Sequence, residues 1–333
     1  IINNQFIGKL KGLKLELDLK VDTLDTDIKS LKKAARLSIG PELNKRIKQI
    51  IDTSSLEIKD DFKIYWGKFP IAKLLPGKDY LKPEFSLIVD DMIETSEKRK
   101  LQLFLENWIN DKINLILKSL IDLKNSKDNK SNIRALSYQL YENNGVVKRE
   151  DIINYLNKLD QEERRSLRNI GVKFGRYHIY LYKLLKPDAV SLRLILWKNF
   201  HQKYFDFKPP KFGLNFLESK KKLNKNFMLI CGFEKFDDFF VRIDILERLF
   251  IQIINSSNEK NKEIMLVPEM LNLLGCNKDN FVKLIKKMNY KSTEKENKVY
   301  FKYLPVKNKN YKNDTKKTNK NSPFSILKEL SIK

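Results

Sequence analysis

Of the 333 residues only two are histidines, His178 and His201, and only two are cysteines, Cys231 and Cys276. So few histidines argue against a histidine-based metal site. The cysteines have no CxxC spacing and suggest no disulfide framework, so a reducing cytoplasm is the default compartment. No apolar run approaches the roughly 20 residues that a spanning helix needs, and no secretory leader is visible. Also missing are a GxxxxGK[ST] phosphate loop, a DExH or DExD box, an HExxH pair and a glycine-rich dinucleotide fingerprint. Asp90-Asp91 and Asp237-Asp238 read as solvated turn residues rather than a two-metal carboxylate site. His178 lies between aromatics in a strand-like stretch and reads as a packed or hydrogen-bonded histidine. These absences predict no catalytic residue, no metal ligand, no cofactor and no small-molecule substrate in this chain.

What is present in excess is positive charge, a net +24. Residues 164–225 hold 16 Lys/Arg against 3 Asp/Glu, and residues 283–333 hold 15 Lys against 4. These two windows account for the whole excess. A basic excess confined to two segments points to a polyanionic partner, most often nucleic acid. Lys, Asn and Ile are abundant throughout, as a compositional bias would also produce, so arginine is the better witness. Only 12 of the 66 basic residues are Arg, and five of them fall in 164–193: Arg164, Arg165, Arg168, Arg176 and Arg193. Arginine forks phosphate and stacks on bases. With them stand Lys173, Lys183 and Lys186 as backbone contacts, and Tyr177, Tyr180 and Tyr182 as rings that could stack on bases. The alternation of the stretch turns some of these aromatics toward the core.

Hydrophobic residues make up 41% of the chain, enough for most of it to fold, and its length allows two or three domains. "IYWGKFPIAKLLPG" (64–77) reads as a β-hairpin turning at Gly67-Lys68. The opening "IINNQFIGKLKG" aligns on it, and each copy continues into a strand, "LKLELD" (13–18) and "FSLIVD" (85–90). Amphipathic helical patterns follow over 27–51 and 96–122. This predicts a duplicated hairpin-plus-helix region over 1–125. The first copy lacks its opening strand and Ile1 stands where Met would, so a longer polypeptide is expected. A helical region follows over 126–201. Asn144-Gly145 ends a first helix, a second covers 148–158, and Asp160 with Glu163 forms a capping box for a third. "GVKFGRYHIYLY" (171–182) alternates like a strand with Gly175 as a bulge, and Pro187-Asp188 opens another helix.

A basic connector is expected over 202–226, then a winged-helix-like domain over 227–305. There "FMLICGF" (227–233) reads as a buried strand and "VRIDILERLFIQIIN" (241–255) as an amphipathic helix. In "VPEMLNLLGCNKDNFVKLIKKMNY" (267–290), Pro268 starts a helix that Gly275 ends, and Asn277 caps the next. This is helix-turn-helix spacing, and "KVYFKYL" (298–304) supplies a wing strand. Lys278, Asn280, Lys283, Lys286 and Lys287 would be exposed on the second helix, free either to contact nucleic acid or merely to solvate a packing module. Residues 306–333 read as a disordered basic tail with a short apolar end. The fold class expected is helix-rich α+β.

The stretch "LDQEERRSLRNIGVKFGRYHIYLYKLLKP" (159–187) resembles a segment that follows the motor of bacterial DExH-box superfamily 2 helicases related to the mitochondrial degradosome RNA helicase. "GKFPIAKLLPG", "VRIDILERL" (241–249), 267–290 and "SPFSILKEL" match the same region in order. Tyr182 stands where the family pattern has Pro. The resemblance implies a C-terminal accessory region of an ATP-dependent helicase. Its two RecA-like domains, with their ATP and Mg, would lie upstream of Ile1. It also implies RNA rather than DNA as partner, and docking of a nuclease. Two rival readings remain: a standalone winged-helix regulator reading duplex DNA through 278–288, and a structural or partner-docking module.

Overall fold

The computed structural model describes residues 8–17, 25–53, 55–125, 131–203, 205–219, 223–236, 238–256, 263–296 and 298–304. The tail expected over 306–333 lies outside them. The chain is mixed α+β, as expected, with five small antiparallel sheets among the described residues. It divides into two compact units, residues 1–251 with 273–275, and residues 252–272 with 276–333.

The first unit opens with a hairpin, β1 (Gly8–Lys11) and β2 (Lys14–Leu17), followed by α1 (Asp25–Thr53). A meander follows: β3 (Leu56–Ile58), β4 (Lys63–Trp66), β5 (Phe69–Asp79) and β6 (Lys82–Leu87), in that order across the sheet. The turn at Gly67-Lys68 brings Trp66 opposite Phe69, as the sequence suggests. Both stretches read as repeats therefore fold as a hairpin followed by a helix. They meet at Asp90, whose amide donates to the Leu13 carbonyl (2.8 Å) and whose carboxylate accepts from the Leu15 amide (3.1 Å). Asp90 is thus half-buried and structural rather than a solvated turn residue.

In α2 (Thr95–Ile116) the buried residues Leu101, Leu105, Ile109 and Ile113 recur every four positions, which puts them on one face. Leu117 leaves helical geometry at φ −105°, and α3 (Lys118–Lys124) restarts beyond it. Next comes α4 (Ser131–Glu142), stopped by Asn144 and Gly145 at φ 55° and 81°. β7 (Val146–Lys148), one 3-10 turn (Glu150–Ile152) and the single-turn α5 (Ile153–Leu156) replace the one helix expected over 148–158. The expected capping box on α6 (Gln161–Ile170) forms in full, and Gly171 ends the helix at φ 108°.

The stretch expected as one strand is a hairpin, β8 (Val172–Phe174) and β9 (His178–Leu181), in a sheet of order β7-β9-β8. Gly175 to Tyr177 form its turn rather than a bulge. A 3-10 turn (Tyr182–Leu185) leads to α7 (Pro187–His201), with Pro187 in its first turn. α7 is buried on opposite sides. Ala189, Leu192, Ile195 and Leu196 face the main core, while Val190, Leu194 and Trp197 pack with Phe227, Met228, Ile230 and Phe240. That second core belongs to β10 (Phe216–Glu218), α8 (Lys225–Ile230), β11 (Phe233–Phe236) and β12 (Phe239–Arg242), whose sheet order is β10-β12-β11.

Two expectations fail here. "FMLICGF" is mostly helix, because the Asn224 side chain caps α8 at the Phe227 amide, and only Phe233 enters a strand after Gly232. A short apolar run has no period long enough to separate the two states. The boundary also falls after residue 251, not near 226, because 227–242 share a core with α7.

The helix α9 (Ile243–Asn255) runs across that boundary. Beyond it come β13 (Ile264–Met265), α10 (Pro268–Leu274), α11 (Lys278–Lys287), β14 (Tyr290–Lys295) and β15 (Lys298–Tyr303), with sheet order β13-β15-β14. As predicted, Asn277 caps α11 through the Asn280 amide (2.8 Å); Phe281, Leu284 and Ile285 are buried on its inner face. The Phe281 and Phe301 rings meet edge to face at 5.8 Å.

Candidate nucleic-acid interface

The predicted basic residues do not share one environment. A strip formed by the end of α6, β8 and the turn after β9 keeps Arg165, Arg168, Lys173, Tyr182, Lys183 and Lys186 exposed. Gly171 brings helix and strand together here. A Cβ on it would lie 3.6 Å from the Tyr182 ring. The Arg168 guanidinium lies 5.3 Å from the centre of the Phe174 ring, and the Lys173 ammonium 5.3 Å from that of Tyr182. None of the five cations forms an ion pair with another described residue. Tyr182 is 42% exposed, so part of its ring stays open. Fixed cations beside an accessible ring suit phosphates with a stacked base.

Arg176 and Tyr177 lie apart from that strip, in the β8–β9 turn. The Arg176 guanidinium is 5.8 Å from the Phe250 ring centre, and Tyr177 meets Phe250 edge to face at 5.7 Å. Tyr177 is half-buried and therefore not an open stacking platform, and Tyr180 is core at 7% exposure. The turn is held by an acid from α9. Three successive amides, of Arg176, Tyr177 and His178, donate to the Glu247 carboxylate at 2.5, 2.8 and 3.0 Å. Consecutive amides of this kind make a concave anion seat. A Cβ on Gly175 would come 2.4 Å from Glu247 Cδ, so a side chain there would push the carboxylate off its three amides.

His178 itself is buried, with Nε2 at 2.7 Å from Glu234 and Nδ1 at 3.9 Å from Glu247. Burial opposes its charge, but the hydrogen bond to Glu234 and the proximity of both carboxylates outweigh it and hold its pKa above 6.5. Burial likewise disfavours the Glu234 charge, yet His178 and Lys148 (2.7 Å) keep Glu234 ionised, with a lowered pKa. Glu234 lines a cleft of about 610 Å³ together with Lys148, Lys225, Lys235 and Asp238.

Two predicted contacts are withdrawn into the fold. Arg193 is 0% exposed, and its guanidinium donates to the main-chain carbonyls of Asn144 (2.6 Å), Leu184 (3.2 Å) and Ile230 (2.5 Å). Burial pulls its pKa down to about 10. It ties three elements together and cannot reach a ligand at the surface. Arg164 is half-buried and donates to the carbonyls of Leu156 (2.8 Å) and Leu159 (3.3 Å).

In the second unit Lys278, Lys283, Lys286 and Lys287 are exposed on α11, while Asn280 is half-buried. Lys278 is already paired with Glu294 at 2.6 Å. Among the described residues no group of His, Cys, Asp and Glu is placed to hold a metal ion, and no helix is long and apolar enough to cross a membrane.

No protein-family model, curated protein or solved structure matches the chain. The functional reading therefore stands on the geometry and on the resemblance noted in the sequence. Two of the stretches that carry that resemblance, 159–187 and 241–249, meet at Glu247. Sequence reading missed Glu247, Glu234 and Lys148, which fix the hairpin from outside it. The one local signal was Gly175, whose missing side chain marks a close approach.

Proposed function

We propose that this chain binds single-stranded nucleic acid, with RNA favoured over DNA, through the strip of Arg165, Arg168, Lys173, Tyr182, Lys183 and Lys186. The observation that carries the reading is that five exposed cations, none ion-paired with a described residue, share neighbouring elements with the open Tyr182 ring, which Lys173 approaches at 5.3 Å, on a frame set by a capping box, a glycine stop and the Glu247 seat. Preorganised cations lose little chain entropy on binding. The resemblance of 159–187 supports a larger role, as the accessory region of an ATP-dependent helicase that guides the strand leaving a motor or docks a nuclease. The role is passive: the strip holds phosphates and does no chemistry.

The second unit reads as a winged helix. Its support is the order strand, helix, helix, hairpin over β13 to β15 and the sheet order β13-β15-β14. Lys283 and Lys286, exposed one turn apart on α11, favour a second reading in which this unit contacts duplex backbone.

Anisotropy titrations of the purified chain on a labelled 20-nucleotide RNA, its DNA counterpart and a duplex separate these readings. Tightest binding to the single strands, weakening linearly in a log–log salt plot, is expected. Preference for the duplex would favour the winged-helix regulator. No binding to any of them would leave the chain a structural or partner-docking module.

A further inference from the structure

The segment between α7 and β10 was expected to be a polar connector, and its composition explains the expectation: Lys and Pro recur in "KYFDFKPPKFGLN". The structure places it differently. Over 205–215 it has no helix or strand, yet it is fixed to the first unit at several points. Phe205 meets Phe62 edge to face at 5.5 Å, and Phe207 meets Phe227 at 5.4 Å. Lys198 donates to the Phe207 carbonyl, and the Asn215 carbonyl accepts from the Arg242 amide at 2.9 Å. Irregular connections of this length are uncommon in compact domains, and ordered ones usually serve a function.

What the anchoring leaves outside is a set of rings and cations. Phe212 is 54% exposed and Phe205 49% exposed, with Leu214 beside them in sequence at 38%. Phe212 has no ring partner among the described residues. Lys208 and Lys211 are exposed and form no ion pair with a described residue. Asp206, the one acid in 205–214, lies close enough to Lys198 to favour that cation's charge. A single exposed apolar side chain is ordinary on a protein surface, but here two exposed rings and Leu214 fall within ten residues and flank two exposed lysines.

We propose that 205–214 is a second single-strand contact, in which Phe212, aided by Phe205, stacks on bases while Lys208 and Lys211 hold the adjoining phosphates. A purely apolar protein partner would fit the rings but not the exposed lysines interleaved with them. Single-stranded nucleic acid fits both, since every base has a stacking face and every linkage a charge. The proposal rests on the single-strand reading above but uses different residues, so the two can fail separately.

The test is anisotropy of the full chain on labelled oligouridylate, with Phe212→Ala, Phe212→Leu, Phe212→Trp and the double variant Lys208→Ala/Lys211→Ala, each checked for an unchanged circular dichroism spectrum. Stacking predicts that Phe212→Ala weakens binding by about tenfold with an unchanged salt slope. Phe212→Leu should weaken it nearly as much, and Phe212→Trp should bind at least as well as the parent, with its indole fluorescence quenched. The lysine variant should flatten the salt slope by roughly 0.7 for each lost phosphate contact. Unchanged affinity in Phe212→Ala, while wild type still binds, overturns the second contact and leaves the strip intact. Full binding by Phe212→Leu shows apolar area alone to suffice and also overturns it. No binding by wild type overturns both readings.

Discussion

Replacing Glu247 with Ala should cost the first unit about 3–5 kcal/mol, the range for removing one partner from a buried charged cluster. The geometry sets the scale. One carboxylate accepts three amide bonds at 2.5–3.0 Å and lies 3.9 Å from His178. A hydrogen bond to a charged group contributes roughly 1.5–3 kcal/mol, but three bonds sharing one acceptor do not add. Glu247→Gln keeps the shape and an acceptor oxygen, yet turns an NH2 toward one of the amide donors, so about half the loss is expected. All three tryptophans, Trp66, Trp108 and Trp197, lie in the first unit, so urea unfolding followed by tryptophan fluorescence reports this unit. Gly175→Ala provides a cross-check: it should be severe alone and much milder on the Glu247→Ala background, where the clashing atoms are gone. A loss under about 1 kcal/mol for Glu247→Ala, or additive effects of the two substitutions, would refute the seat as the reason the hairpin holds its shape.

The His178–Glu234 pair predicts a bell-shaped stability profile. His178 has a folded pKa above 6.5, so its contribution is full below pH 6.5 and is lost as pH rises through the folded value. Glu234 has a folded pKa below 4.5, so its contribution is present above pH 4.5 and is lost as pH falls through the folded value. Thermal midpoints by tryptophan fluorescence should therefore peak between these limits, and His178→Gln should remove the alkaline limb. A wild-type midpoint that stays flat from about pH 6 to 9 contradicts this. Arg193→Ala should destabilise by roughly 3–5 kcal/mol through three orphaned carbonyls, with oligonucleotide affinity of the remaining folded protein unchanged; a selective affinity loss would restore Arg193 as a contact. Asp160→Ala should cost about 1 kcal/mol by removing the α6 cap, measured by the same urea titration.

Local signals were legible and distant ones were not. Asp160 with Glu163, Asn144-Gly145, Gly67-Lys68 and Asn277 each specify a cap, a stop or a turn through neighbours within four residues, and all four form. "FMLICGF" misled because seven apolar residues carry no period; the decisive group is Asn224, outside the run. The basic residues looked alike in sequence because exposure is a tertiary property. Arg193 sits on a helix buried on opposite sides, and only the second core against α7 reveals that. The carboxylate that seats the β8–β9 turn comes from 70 residues away, and no local pattern announces it. The connector at 205–214 is polar by composition yet anchored by aromatic contacts, which composition cannot express.

In the proposed strip, preorganised cations hold single strands through their phosphates. The direct measurement is a salt titration on a labelled single-stranded RNA, comparing wild type with the variant in which Arg165, Arg168, Lys173 and Lys183 are all Ala. All four side chains are exposed and without ion pairs to described residues, so the variant should fold. The prediction is weaker binding, with a log–log salt slope reduced by about 0.7 for each phosphate contact removed. An unchanged affinity and slope would contradict the claim and move the binding surface elsewhere on the chain.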